Sequence, residues 1–363
     1  MNNSEEKLGT WPLGRLMLSM GIPTLVAQLI NLLYNIVDRV YIGQGVGREA
    51  LTGLGLTLPV ITIISAFSSL AGAGGAPLAA IALGQGNKRK AERILGNVFT
   101  MLCVFTIGVM AVFYAAEKPF LYLVGASDAT YPYASAYLRI YLIGTFFVQI
   151  VLGLNPFITA QGQSKTAMGS VLIGAALNII LDPIFIFGLN MGAGGAALAT
   201  VLSNVVSAAL LMVLLVAKSQ RLSMRLRDCP VQRTELREIL VIGVPASITN
   251  LMQSFAMTLT NRFLLPYGTE NVAALGIALK VNMIVMLIMV GFAFGAQPLL
   301  GYNYGANNRE RLRDILKFDV LVQLVFSVVM TVVFLIFAPQ IIRIFMSDGG
   351  VIQAGSRILR CMV

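Results

Sequence analysis

Two carboxylates lie inside long apolar stretches of the sequence and are its first candidates for chemistry. Asp182 occurs in Asn178-Ile-Ile-Leu-Asp182-Pro183, and Asp38 occurs in Tyr34-Asn35-Ile-Val-Asp38. A carboxylate is costly to place in hydrocarbon, so acids in such stretches commonly mark ion or proton pathways. We therefore predict functional roles for both acids.

Two neutral oxygen-bearing side chains share the predicted depth of these acids. Asp182, Asp38 and Thr200 each lie five or six residues from the predicted outer end of a helix, about 8 to 9 Å at 1.5 Å per residue. Asn178 lies one turn from Asp182 on the same helix face. Carboxylate, amide and hydroxyl oxygens suit a proton or Na⁺. The four residues predict a cation-coupling site.

Each of these residues also has a structural explanation. Asp182 could hydrogen-bond a neighbouring helix beside a kink at Pro183, and Asp38 could extend outward together with Arg39. Asn178 and Thr200 could simply bridge helices. The sequence alone leaves these alternatives open.

The composition indicates which elements must position these residues. The chain has 363 residues, of which 57% are hydrophobic and 12% charged, and its mean hydropathy is +0.81. Soluble domains carry about 25% charged residues, and a membrane-spanning helix needs about 20 apolar residues. We predict an all-α polytopic membrane protein in contact with the lipid bilayer.

Histidine is absent, and the three cysteines lack metal-ligand spacing. Most zinc sites and all Ser-His or Cys-His catalytic units are thereby excluded. We expect no enzymatic activity, and no cofactor other than H⁺ or Na⁺ as a coupling ion.

Nine apolar helices and the start of a tenth can be placed along the chain. They are predicted near 14–42, 54–83, 95–116, 133–160, 167–188, 195–217, 238–265, 272–302, 316–338 and from 353 onward.

The basic residues predict the orientation of these helices. With the N-terminus in the cytoplasm, inner segments collect 17 of the 26 Lys and Arg residues, and outer loops hold three. Basic loops concentrate on the cytoplasmic side of membrane proteins. The asymmetry predicts a multi-pass protein of the cell (inner) membrane, and we prefer it to nucleic-acid binding as the explanation of the basic loops.

The chain also contains an internal repeat. Gly84-Gln-Gly-Asn87 aligns with Gly305-Ala-Asn-Asn308 at a shift of 221, and Pro77 aligns with Pro298 at the same shift. The first copy holds six predicted helices, so both copies enter the membrane from the same side. Parallel repeats of this kind are found in transporters.

The repeat predicts two lobes and their boundaries. We expect an N-terminal lobe at 1–220, a cytoplasmic loop at 221–237 and a C-terminal lobe at 238–363. The second copy ends early in its fourth helix. We therefore expect a truncated or partial sequence of a twelve-helix protein, with nine to ten helices present.

Several motifs resemble the MATE (multidrug and toxic compound extrusion) family. They are Tyr34-Asn35-Ile-Val-Asp38, Gly84-Gln-Gly-Asn87, Gln161-Gly-Gln-Ser164, Ala176-Leu-Asn178-Ile-Ile-Leu-Asp182-Pro183, Ala197-Leu-Ala-Thr200 and Asn303-Tyr304-Gly305-Ala306. The resemblance covers essentially the whole chain. It implies two six-helix lobes around a cavity, and export of small organic, often cationic, compounds in exchange for H⁺ or Na⁺, with a monomer as the expected state.

The resemblance also implies roles for particular residues. In the branch with an acid in the first helix, the coupling cation, H⁺ or Na⁺, is held at positions matching Asp38, Asn178, Asp182 and Thr200. Three further residues are expected at the substrate cavity: Asn155, Asn35 and Tyr34.

A lipid-linked glycan flippase of the same superfamily is the alternative function. Such a protein would need basic residues along its cavity, whereas the charges predicted at cavity depth here are mainly acidic. We therefore prefer drug antiport to lipid flipping.

Overall fold

The computed structural model describes residues 11–218, 222, 232–264, 269–345 and 349–362. Within these ranges the chain forms helices and no β-strand. The helices are α1 (Leu13–Gly45), α2 (Arg48–Gly84), α3 (Lys88–Ala115), α4 (Glu117–Leu123), α5 (Tyr131–Ala160), α6 (Ser164–Pro183), α7 (Gly192–Val213), α8 (Arg233–Leu264), α9 (Thr269–Gly305), α10 (Arg309–Phe345) and α11 (Gly349–Cys361). Wide π-helical turns extend α6 through 184–188 and α7 through 214–218.

Each predicted apolar helix corresponds to a helix of the structure, and the all-α polytopic class is confirmed. Eight of the described helices are long and apolar enough to cross a membrane. The short helix α4 was not predicted, since its seven residues are fewer than any membrane span requires.

Several helices begin earlier than their apolar runs. α3 begins at Lys88 instead of residue 95 because the side chain of Asn87 caps it, accepting a hydrogen bond of 3.0 Å from the backbone N–H of Lys90. Such a cap satisfies a backbone donor that the first turn leaves free. Polar residues can therefore extend the helix beyond the membrane.

The same turn recurs between α9 and α10. Asn308 accepts a hydrogen bond of 3.2 Å from the backbone N–H of Arg311, matching the bond at Asn87. Gly86 and Asn307 hold equivalent left-handed conformations, with φ of 71° and 55°. The internal repeat predicted from the sequence thus has a matching backbone conformation in both copies.

The two copies of the repeat interlock. α1 packs mainly against α6 and α9, whereas α8 packs mainly against α2. The first helix of each copy therefore contacts the second helix of the other. The predicted lobe boundaries stay a prediction, and residues 223–231 of the predicted connecting loop lie outside the described residues.

Two apolar clusters hold the first copy together. One surrounds Phe157 and Leu102, and the other surrounds Leu138 and Ile64, all of them buried. Burial of such side chains contributes about 1.5–3 kcal/mol each relative to exposure. Two clusters on α5 give the neighbouring helices a rigid support.

Candidate cation site and substrate cavity

The four residues predicted as a cation site meet in the structure. Asp182 is fully buried, and Asn178 and Asp38 are 2% and 8% exposed. Asn178 Nδ2 donates to Asp182 Oδ1 over 3.4 Å and to Thr200 Oγ1 over 3.3 Å. The carboxyl groups of Asp38 and Asp182 lie close enough to interact directly.

Asp38 points into the protein, away from its charged neighbour. Arg39 is exposed, whereas Asp38 is buried. Adjacent residues of a helix point about 100° apart, so the two side chains separate. The alternative in which both extend outward is therefore excluded for Asp38.

Three oxygen atoms of this cluster have no hydrogen-bond partner. They are Asp38 Oδ1, Asn178 Oδ1 and Asp182 Oδ2. Buried polar atoms are normally paired, and hard oxygens are the ligands that protons and Na⁺ prefer. The donor set therefore fits one of these cations.

The outer ends of α1 and the turn after α6 hold the two acids together. Tyr41 packs edge-on against Phe187, with ring centroids 6.2 Å apart. Gly45 lies so close to this turn that an added Cβ would be 2.8 Å from Ile186 Cγ2. A side chain at Gly45 would therefore force the turn after α6 to shift.

Pro183 ends the regular part of α6 directly after Asp182. A π-helical turn follows, and the N–H of Leu189 donates to the carbonyl of Ile184 over 2.9 Å. Such turns are rare and occur frequently at functional sites. The wide turn gives this end of α6 a backbone distinct from that of its neighbours.

Two tyrosines of α5 complete the surroundings of the acids and were missed by the sequence analysis. Tyr137 and Tyr141 are buried and stack with centroids 5.9 Å apart. Tyr137 lies near both Asp38 and Thr200. Their i, i+4 spacing places both rings on one face of α5, and this spacing is the signal that the sequence offered.

A cavity of about 190 Å³ adjoins the cluster, and we call it the N-terminal cavity. Its lining includes Asn178 and Thr200, together with residues of α1, α5, α6 and α7. A second cavity of about 300 Å³, the interface cavity, lies between α1, α2, α5 and α9. The two cavities share part of their lining: Thr24, Gln28, Leu152, Asn155, Pro156 and Thr159.

The three residues predicted at the substrate cavity differ in their positions relative to the two cavities. Asn155 lines both cavities, and Tyr34 lines the N-terminal cavity. Asn35 is exposed and lines neither, because its side chain donates to the carbonyl of Asn31 over 2.6 Å. Being the residue after Tyr34, it points about 100° away around α1.

A further buried acid lies in α10. Asp319 is 8% exposed and accepts a hydrogen bond of 2.9 Å from Gln323 Nε2. The apolar run that predicts this helix begins near residue 316 and puts Asp319 close to its end, so no role was predicted for Asp319. In the structure α10 begins at Arg309, and Asp319 follows that residue by about three turns.

The inner side of the protein is the side on which five helices begin: α1, α3, α6, α8 and α10. The distribution of basic residues predicts that this side is cytoplasmic. Two related contacts join the copies there. Lys90 Nζ lies 2.9 Å from Glu238 Oε2, and Arg311 Nη2 donates to the carbonyl of Trp11 over 2.8 Å. Lys90 and Arg311 are equivalent positions of the repeat, so each copy contacts the first segment of the other.

The fold and site define a class of protein. Parallel helical repeats, an intramembrane pair of acids and an adjoining cavity are features of secondary transporters. The MatE family model matches residues 23–184 and 245–363, well over half of the chain, and a model for the lipid II flippase MurJ matches 119–270. The chain belongs to the MATE family of transporters.

Similar proteins agree with this assignment. The multidrug export protein MepA of Staphylococcus haemolyticus is 28% identical over 95% of this chain and 76% of its own length. A solved outward-facing multidrug resistance MATE family transporter of the MOP superfamily superposes with a TM-score of 0.89 at 26% identity. A MATE structure in the bent conformation gives 0.91 at 26% identity. These two solved structures are covered to 80%, and each match spans 99% of this chain.

Proposed function

We propose that this transporter is a multidrug antiporter that exports small organic, often cationic, compounds in exchange for H⁺ or Na⁺. The observation that carries the proposal is the buried cluster of Asp38, Asn178, Asp182 and Thr200 beside the N-terminal cavity. Its relatives include proteins named for multidrug export. The flippase alternative is not favoured, because no basic residue lines either cavity among the described residues.

In the proposed cycle the cation binds among the unpaired oxygens. A proton or Na⁺ at Asp38 and Asp182 would neutralise two facing carboxylates, whose mutual repulsion is strong in a low-dielectric site. Relief of that repulsion changes how α1 packs against α6. Asn178 and Thr200 belong to both the cluster and the cavity wall, so cation binding and substrate binding share side chains.

Shared side chains make the two ligands competitors. A ligand shifts a conformational equilibrium only through different affinities for its two states. Cation binding on one side and substrate binding on the other would therefore favour opposite openings. The interlocked inner contacts at Lys90 and Arg311 are the ones that have to separate for the inner side to open.

The test is efflux measured with each gradient imposed separately. Purified protein in proteoliposomes is loaded with a fluorescent organic cation, and either a pH gradient or a Na⁺ gradient is imposed. We expect one gradient to drive the substrate against its own concentration gradient. Movement under neither gradient would overturn the proposal.

A further inference from the structure

Two polar side chains of the N-terminal cavity each donate one hydrogen bond to their own helix. Thr24 Oγ1 donates to the carbonyl of Met20 over 2.9 Å, and Asn204 Nδ2 donates to the carbonyl of Thr200 over 2.8 Å. Both residues line the cavity. Thr24 still offers a ligand the lone pairs of its side-chain oxygen, and Asn204 offers those of its oxygen together with one remaining N–H.

Asn155 has the same arrangement with a fixed amide orientation. Its Nδ2 donates to the carbonyl of Ala167 over 3.1 Å and to Ser170 Oγ over 2.9 Å. The carbonyl of Ala167 can only accept, so the amide nitrogen must face it. The side-chain oxygen of Asn155 is therefore the group left for the cavity.

Two serines of α7 behave likewise. Ser203 Oγ donates to the carbonyl of Ala199 over 2.7 Å, and Ser207 Oγ donates to the carbonyl of Ser170 over 3.2 Å. Five other lining residues donate no such bond to the backbone: Gln28, Asn31, Tyr34, Thr159 and Thr200. All ten of these side chains carry an acceptor oxygen, whereas four of them have no donor left, so acceptor groups outnumber donor groups on this part of the wall.

No acidic or basic residue lines either cavity among the described residues. A bound cation would thus have no charged side chain on the cavity wall with which to form an ion pair. Neutral oxygens stabilise a cation best when it carries N–H groups that can donate to them, since hydrogen bonds from charged donors are the stronger ones. A cation without N–H groups leaves these oxygens unpaired.

We propose that the N-terminal cavity selects cations by their N–H donors, so that protonated amines bind more tightly than quaternary ammonium ions of similar size. This inference rests on the antiport function proposed above. Water also accepts a hydrogen bond from the N–H of the free amine, so the remaining advantage is close to the net value of one ordinary protein hydrogen bond. We expect about threefold to tenfold tighter binding.

The test uses a matched pair of ligands. Benzyldimethylamine, protonated at neutral pH, and benzyltrimethylammonium differ by an N–H in place of an N–CH₃. Their affinities for the purified full chain are measured by isothermal titration calorimetry at pH 7. Equal affinities, or tighter binding of the quaternary ion, would overturn the proposal.

Variants connect the ratio to the wall. Thr24→Val and Asn204→Leu each remove an acceptor oxygen and should bring the affinity ratio towards one. Thr106→Val is the matched control, because Thr106 makes the same bond to the carbonyl of Leu102 (2.8 Å) but lines neither cavity. A ratio that falls equally in the control would contradict the assignment. If Asn204→Leu fails to fold, the isosteric Thr24→Val variant alone provides the test.

Transport of the same pair separates this proposal from the one it rests on. If an imposed gradient drives neither compound out of proteoliposomes, the antiport function itself fails. If both are driven and their affinities are equal, only the N–H selectivity fails. The inference is supported when both are driven and the amine binds more tightly.

Discussion

Gly74 of α2 and Gly243 of α8 approach so closely that a side chain on Gly74 would displace the other helix. A Cβ on Gly74 would lie 2.5 Å from the carbonyl oxygen of Ile239 and 3.1 Å from Gly243 Cα. The repeat reproduces this contact, since a Cβ on Gly295 would lie 2.5 Å from Gly21 Cα. The contacts at Gly74 and Gly295 both lie in the inner half of the helices, so these two equivalent contacts close the inner side.

Gly74→Ala should weaken this closure. Overpacking of a tight contact costs about 1–3 kcal/mol. We expect this cost to destabilise the closed arrangement, because separation of α2 from α8 on opening relieves the clash. In a cysteine-free background, Gln297→Cys in the interface cavity should become more reactive to an impermeant thiol reagent added from the inner side. Gly55→Ala is the control on the same helix, where nothing lies within 4 Å of an added Cβ. Equal labelling of Gly74→Ala and Gly55→Ala would contradict the role of this glycine contact in closing the inner side.

The ion pair between Lys90 and Glu238 should have a smaller effect. Both side chains are 35% exposed, and pairs of this kind contribute about 0–1 kcal/mol. Glu238→Lys should increase inner-side labelling modestly, through repulsion from Lys90. The exchanged pair Lys90→Glu with Glu238→Lys should restore the original labelling. A double variant that labels like the single one would show that the pair does not hold the closure.

Asp182→Asn and Asp38→Asn should each abolish gradient-driven efflux while leaving membrane insertion intact. Each removes the charge that a coupling cation neutralises, and a loss of at least tenfold corresponds to about 1.4 kcal/mol. Asp319→Asn is the matched control, because Asp319 is also a buried acid in a spanning helix but lies in α10. Full efflux in both Asp182→Asn and Asp38→Asn, or loss only in Asp319→Asn, would contradict the proposed site.

Gln149→Leu should leave the melting temperature unchanged or raise it. Gln149 is fully buried, and neither its amide nitrogen nor its oxygen has a protein partner. A buried polar group without a partner is costly, and an apolar replacement removes that cost. Gln161→Leu is the contrasting variant, because Gln161 Nε2 donates to the carbonyl of Phe157 over 3.2 Å, and it should lower the melting temperature. A clear loss of stability in Gln149→Leu would contradict this expectation.

The spans and the relation between Asn178 and Asp182 could be predicted from the sequence. Apolar length defines a membrane helix, and a spacing of four residues places two side chains on one face. The meeting of Asp38 with Asp182 needed more than depth, because depth along a helix leaves its rotation undetermined. That rotation depends on contacts such as Tyr41 against Phe187, which no periodicity encodes.

Other features depended on tertiary packing alone. Tyr137 belongs to the site because the face of α5 that carries it is turned towards α1 and α7. The sequence of an apolar helix does not indicate which of its faces will have this position. Asn35 illustrates the converse, since a short polar side chain can bond to its own helix instead of a ligand. Helix caps such as Asn87 were recognisable as loop residues, but their extension of α3 by two turns was not foreseen.

The packing of each copy's first helix against the second helix of the other copy has a consequence for assembly. Because α1 packs on α9 and α8 packs on α2, each half supplies the surface that the other half needs to bury its own leading helix. The covalent connection through 223–231 is then not what keeps the halves together. A chain cleaved within that segment should remain a single particle, and the two fragments should associate when they are produced together.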